Sequence, residues 1–214
     1  MQTKILNKDL KRFFSNATKD EVKKGVFIDF EGFEDKPPTL IGVLIENEFT
    51  QIIFDKNLKP AANKKGLAIN DAKQYLTSLA QKAKKESRRI FAFSQYENNI
   101  FKEFYGLDID PYYCDVRFIA KKLKTKKYQD YILKSRELKK YLEMINFNRP
   151  AHLGEQKSTK RIRDVLAGLQ ANNNIYDELT NTQKSKWTNL LAHNKIDVLG
   201  MQAIVKEYLK ISNT

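Results

Sequence analysis

The chain reads as a single α/β domain on a mixed five-stranded sheet, its first three strands antiparallel and the later ones parallel, flanked by helices. Three observations lead there. Apolar runs at 25–31, 39–46 and 49–54 follow one another closely, with Asn47-Glu48 as a turn between the second and third, the pattern of a β-meander. A segment of helical period at 70–86 then precedes an apolar run at 89–94, and another helical run precedes a short apolar stretch near Tyr112-Tyr113-Cys114, the alternation that builds parallel pairs. The final third carries helical spacing only.

Residues 1–23 form an N-terminal charged segment long enough for a short helix, and 24–214 form the domain. Within 70–86, Ala72, Leu76, Leu79, Ala80 and Ala83 recur at helical spacing, with Asn70 as the expected N-cap. Helices are expected at about 97–105, 116–123, 135–145 and 161–170, and over 182–209 as two helices or one bent one. The stretches 146–159 and 172–174, rich in Asn, Gly and Pro, read as surface loops.

With 39 Lys and Arg against 26 Asp and Glu, the net charge is +13, and such a surface favours polyanions, nucleic acid first among them. Cys114 stands alone, which excludes an intrachain disulfide framework and suits a reducing, cytoplasmic setting. The longest aliphatic run, residues 40–45, is far short of the ~20 residues that span a bilayer, so no membrane partner is expected.

Asp29 and Glu31 lie two residues apart in the apolar stretch Gly-Val-Phe-Ile-Asp-Phe-Glu at 25–31, so on a strand both carboxylates point to one face. Burying two like charges is costly unless a cation or hydrogen-bond donors compensate them. A divalent metal site is one reading; a strand end running into the solvated loop 32–38 is the other. Glu97 follows the fourth strand directly, where α/β sheets gather ligands, and it equally suits the first turn of a helix, where acids are favoured by the dipole. His193 and Asp197 stand four apart on one face of the last helix, as a proton-relaying group beside a metal ligand or as an ordinary surface pair.

The order of these three signals, with these residues, resembles the DEDD family of 3′–5′ exonucleases in the ribonuclease H-like superfamily. Phe27-Ile28-Asp29-Phe30-Glu31 is similar to the family's first motif, and Phe91 to Glu97 to its second, with Glu97 where the family has Asp. His193 to Asp197 is similar to the third, with the spacing of the tyrosine-type branch and histidine in the tyrosine's place. Asp115 and Leu138-Lys139 are further features shared with a branch of predicted ribonuclease H-like exonucleases. The resemblance runs from about residue 24 to 209. It implies a ribonuclease H-like fold, and two Mg²⁺ or Mn²⁺ ions held by Asp29, Glu31, Glu97 and Asp197. It further implies His193 as the group that orients or deprotonates water, and release of nucleoside 5′-monophosphates from single-stranded DNA or RNA.

A strand of substrate needs contacts beyond the metals. The expected nucleic-acid-binding residues are Lys122, Lys124, Lys127, Lys160, Arg161 and Arg163, in basic runs that also hold Lys121, Lys126 and Lys157 and interleave with Tyr128 and Tyr131. A solvated helix face is the alternative for these cations. Two further functions remain open at this level: a nucleic-acid-binding module of the same fold without turnover, and a structure-selective endonuclease.

Overall fold

The computed structural model describes residues 17–153 and 158–212. The earlier part of the N-terminal charged segment and Lys157 therefore lie outside the described residues. Helix α1 (Lys19–Lys24) opens on a capping box in which Thr18 accepts from the Glu21 backbone N–H and Glu21 reaches back to the Thr18 N–H. Its Val22 is buried in the core below the sheet, so residues 19–24 are part of the packed fold.

The sheet has six strands in the order β4-β3-β2-β1-β5-β6. Strands β1 (Val26–Glu31), β2 (Leu40–Ile45) and β3 (Glu48–Ile53) form an antiparallel meander, while β5 (Ile90–Ala92) and β6 (Tyr113–Asp115) continue parallel from β1. The expected mixed sheet is thus present, with one strand more than expected: β4 (Ala68–Ile69) adds a two-residue parallel edge to β3. Two residues are too few to give a periodic signal in sequence.

The β2–β3 turn consists of Glu46 and Asn47, at φ 51° and 73°, one residue earlier than Asn47-Glu48. Two consecutive left-handed residues make the primed hairpin turn that matches strand twist, and this places Ile45 opposite Glu48. The helix after β4, α3 (Ala72–Lys85), is capped by Asp71, not Asn70: the Asp71 carboxylate accepts from the Gln74 N–H at 2.9 Å. A short helix, α2 (Lys59–Lys64), precedes β4, and its Pro60 sits in the first turn, where a missing N–H costs nothing. Helices α4 (Gln95–Tyr105), α5 (Val116–Lys127), α6 (Leu138–Met144) and α7 (Ser158–Ala171) follow in the expected order.

The last helix, α8, is continuous over 32 residues, Asn181–Ser212. It stays unbroken because Trp187, Leu190, Val198, Met201, Ile204, Val205 and Tyr208 supply buried apolar residues along nearly its whole length. It packs across β1 and β2 and against α5, α6 and α7.

Side-chain alternation divides β1 between two cores. Val26, Ile28 and Phe30 pack with α3 and α4 on one face. Phe27 faces the other way, toward α5, α6 and α8. Asp29 and Glu31 share that parity, so the strand aims both carboxylates at the face crossed by α8. Among the described residues no helix is long and apolar enough to cross a membrane.

Candidate metal centre

The acidic end of β1 is held by residues of α8 and of the start of α7. Asp29 accepts a hydrogen bond from Asn194 of α8: the Asn194 amide nitrogen lies 2.9 Å from Oδ2 and 3.0 Å from the Asp29 carbonyl oxygen. Asn194 is itself oriented by Gln51 of β3, whose Nε2 donates to Oδ1 at 2.8 Å and to the Leu191 carbonyl at 3.0 Å. The amide therefore has one orientation, oxygen toward Gln51 and nitrogen toward Asp29.

That approach depends on Gly42, the partner of Asp29 across the β1–β2 ladder. A Cβ at Gly42 would lie 2.2 Å from Asn194 Oδ1. Gly42→Ala is expected to push Asn194 from Asp29 and to destabilise the fold by about 1–3 kcal/mol, read as a lower denaturation midpoint. A midpoint equal to wild type would show that Asn194 can move without loss.

Glu31, 8 % exposed, ends β1 beneath the start of α7. Thr159 of α7 donates to the Gly32 carbonyl at 2.9 Å and ties the two elements together. Burial drives the Glu31 carboxyl up to about 7, with Asp197 adding to the rise, against a hydrogen bond from Ser158 and the charge of Arg161. Asp29 is raised well above the usual carboxylate range, first by burial and then by the charges of Glu31, Asp197 and Glu97. Asp29 therefore lies within electrostatic reach of Glu31, Glu97 and Asp197.

Glu97, 6 % exposed, is the third residue of α4 and closes a capping box with Ser94, whose N–H and hydroxyl each lie 3.2 Å from Oε2. The capping role and the place beside Asp29 coexist in one side chain. Burial first, and the Asp115 carboxylate more weakly, raise Glu97 to about 7.

Asp197 is paired with His193 one turn earlier, Nε2 to Oδ2 at 3.1 Å, and with Arg149, Nε to Oδ1 at 3.6 Å. Arg149 also places Nη2 3.1 Å from His193 Nδ1. A guanidinium only donates, so Nδ1 accepts, and the imidazole proton on Nε2 points to Asp197. Both ring nitrogens are engaged in this arrangement.

No group of three or more His, Cys, Asp or Glu side chains among the described residues is arranged to hold a metal ion. Each acid has another partner: Asn194 holds Asp29, Ser94 holds Glu97, and His193 with Arg149 holds Asp197. The donor chemistry is that of a hard divalent cation, carboxylate oxygens from β1, α4 and α8, with Glu31 and Glu97 buried, Asp29 half-buried, and all three carboxyls raised.

The six expected nucleic-acid contacts fall in three different settings. Lys122 and Lys124 are half-buried on α5, with Lys124 Nζ donating to the Gln129 carbonyl at 2.8 Å, while Lys127 is paired with Glu207. Lys160 and Arg163 are exposed on α7. Arg161 is 5 % exposed, donates through Nη2 to the Leu153 carbonyl, and contributes its charge to Glu31. It belongs to the acid cluster rather than to an open basic face.

Sequence reasoning did not reach Asn194, Gln51, Ser158 or Arg149. For Asn194 a signal exists: a glycine inside the aliphatic run Leu40-Ile41-Gly42-Val43-Leu44-Ile45 marks a close approach by another group. Arg149, in the loop before α7, carries none. Comparisons with family models, curated proteins and solved structures find no match to the chain.

Proposed function

We propose that the protein is a metal-dependent 3′–5′ exonuclease of the ribonuclease H-like type, hydrolysing phosphodiester bonds at single-stranded nucleic-acid ends to release nucleoside 5′-monophosphates. The observation that supports this reading best is that Asp29 of β1 lies within electrostatic reach of Glu31, of Glu97 on α4 and of Asp197 on α8. Support also comes from the strand order β3-β2-β1-β5-β6, antiparallel through β3, β2 and β1 and parallel beyond, which is the arrangement the motif resemblance implies. The net charge of +13 suits a polyanionic substrate.

Asp29, Glu31, Glu97 and Asp197 would hold two Mg²⁺ or Mn²⁺ ions, which in a site of this kind supply Lewis-acid activation of water and neutralise charge on the leaving 3′ oxygen. Asn194 presents Asp29 and keeps its carboxylate turned from β1 toward α8. Arg149 and His193 together fix Asp197, and release of the Arg149 contact gives His193 Nδ1 a free lone pair for a water proton. Arg161 offsets the Glu31 charge.

The engagement of both His193 nitrogens favours a second reading, a nucleic-acid-binding module of the same fold without turnover. The test is incubation of 5′-labelled single-stranded DNA and RNA with Mn²⁺ or Mg²⁺. A ladder shortening from the 3′ end supports the exonuclease and identifies the preferred sugar. Cleavage that persists with a blocked 3′ end moves the reading to an endonuclease, and salt-sensitive binding without cleavage moves it to the binding module.

A further inference from the structure

A groove of about 710 Å³ runs between α5 and the segment leading to α6. Its walls carry Lys121, Lys124, Lys134 and Arg136 against one acid, Asp130, and its apolar surface includes Tyr131 and Tyr141. Arg117, one turn before Lys121 on α5, adds a further cation, with Nη2 3.9 Å from Asp115 Oδ2. The cations crowd one another: Lys121 is held below the ordinary lysine value by burial, then by the charges of Arg117 and Arg136, with Asp115 pulling the other way more weakly. Converging positive charge of this kind is relieved by an anion.

Two chains of contact through the core connect the groove's residues to the neighbourhood of Glu97. Tyr141 packs edge-on against Phe93, ring centroids 6.0 Å apart, and Phe93 is the residue before Ser94, the partner of Glu97. On the other side Lys121 interacts with Asp115, which in turn bears on Glu97. Ile132, 86 % exposed, stands on the segment that forms the outer wall.

We infer that this groove holds the sugar-phosphate backbone of the single strand leading into the acid site, with Lys121 and Arg136 on successive phosphates and Tyr131 offering a face to a base. The inference rests on the exonuclease reading for its direction, since the 3′ end would occupy the acid site and the upstream strand the groove. Cationic side chains that track phosphates, interleaved with aromatics, are the chemistry of single-strand binding without sequence preference. An acidic peptide would use the charges and leave the aromatic wall without a purpose.

The test compares wild type with the Lys121→Ala/Arg136→Ala double variant in two assays. Binding of fluorescein-labelled oligothymidylate is followed by anisotropy with chelator present, across a salt series. Hydrolysis of thymidine 5′-monophosphate p-nitrophenyl ester is followed with Mn²⁺. The double variant is expected to bind the oligonucleotide about tenfold more weakly, with a salt slope shallower by about 1.4, or about 0.7 for each of two phosphate contacts. Ester hydrolysis is expected to stay at the wild-type rate. Unchanged oligonucleotide affinity and slope would overturn the assignment, as would a matching loss of ester hydrolysis, or competition by polyglutamate as strong as by the oligonucleotide. If wild type hydrolyses no ester while oligonucleotide affinity still depends on Lys121 and Arg136, the groove stands and the exonuclease reading fails.

Discussion

Asp29→Asn is expected to abolish metal-dependent nucleotide release, by about 10³-fold or more, equivalent to about 4 kcal/mol of transition-state stabilisation, while leaving the protein folded and no less heat-stable. The two halves of that expectation have one physical origin. Asp29 is half-buried within electrostatic reach of Glu31, Glu97 and Asp197, and its carboxyl is raised because desolvation and each neighbour oppose its charge. The isosteric amide keeps an acceptor oxygen for the Asn194 N–H, now 2.9 Å from Oδ2, and removes the repulsion. A residue placed for packing would lose stability on such a change; one held against its own electrostatics for chemistry loses function instead. The measurement is release of nucleotide from a 5′-labelled strand with Mn²⁺, beside a thermal melt of the chelated protein. Turnover within tenfold of wild type would remove Asp29 from the site. A large fall in melting temperature would show that its charge supports the fold.

That Asp29 and Glu31 share a face was legible because strand periodicity is a strong constraint. Once 25–31 is a strand, Asp29 and Glu31 must share a face, and the apolar residues of the long C-terminal helix require it to cover a sheet. The hairpin register was less legible, since moving the turn by one residue changes neither the apolar count nor the composition; the left-handed Glu46 and Asn47 decide it. Glu97 had two readings, helix cap and site acid; the capping box with Ser94 is present, and the same carboxyl is buried and raised to about 7, so local pattern alone could not separate them. Arg161 shows a limit of another kind. Composition puts it in a basic run with Lys160 and Arg163, whereas helical spacing puts it one turn from buried Val165, on the inward side of α7. Periodicity outweighed charge there. Arg149 lies in an irregular loop with no period at all, and only the folded chain brings it to His193 and Asp197.

The chelated protein is expected to lose stability as the pH rises from about 5 to about 8, and divalent metal is expected to reverse that loss. Glu31 and Glu97 are each raised from 4.5 to about 7 in the folded chain, chiefly by burial. Between those values the folded state binds protons that the unfolded state has released, so unfolding free energy falls with rising pH. The contribution is fully present below the unfolded value of 4.5 and is gone once the pH has passed the folded value of about 7. A gap of one pH unit between the folded and unfolded values corresponds to about 1.4 kcal/mol, and the acids share one site, so a combined loss of a few kcal/mol is expected. Acids held by ion pairs act in another window. Glu207 is lowered to about 2, first by its hydrogen bond from Lys127, and its contribution is lost only as the pH falls below the usual carboxylate range. The two effects therefore separate along the pH axis. Mn²⁺ added at pH 8 binds the ionised carboxylates and should raise the melting temperature, whereas at pH 5.5 it competes with protons and should raise it less. Melts in chelator and in Mn²⁺ at both pH values decide the matter without any assay of activity. A chelated protein more stable at pH 8 than at pH 5.5 would mean that the glutamates titrate normally. An Mn²⁺ effect that persists unchanged in Asp29→Asn would mean that the ion binds elsewhere.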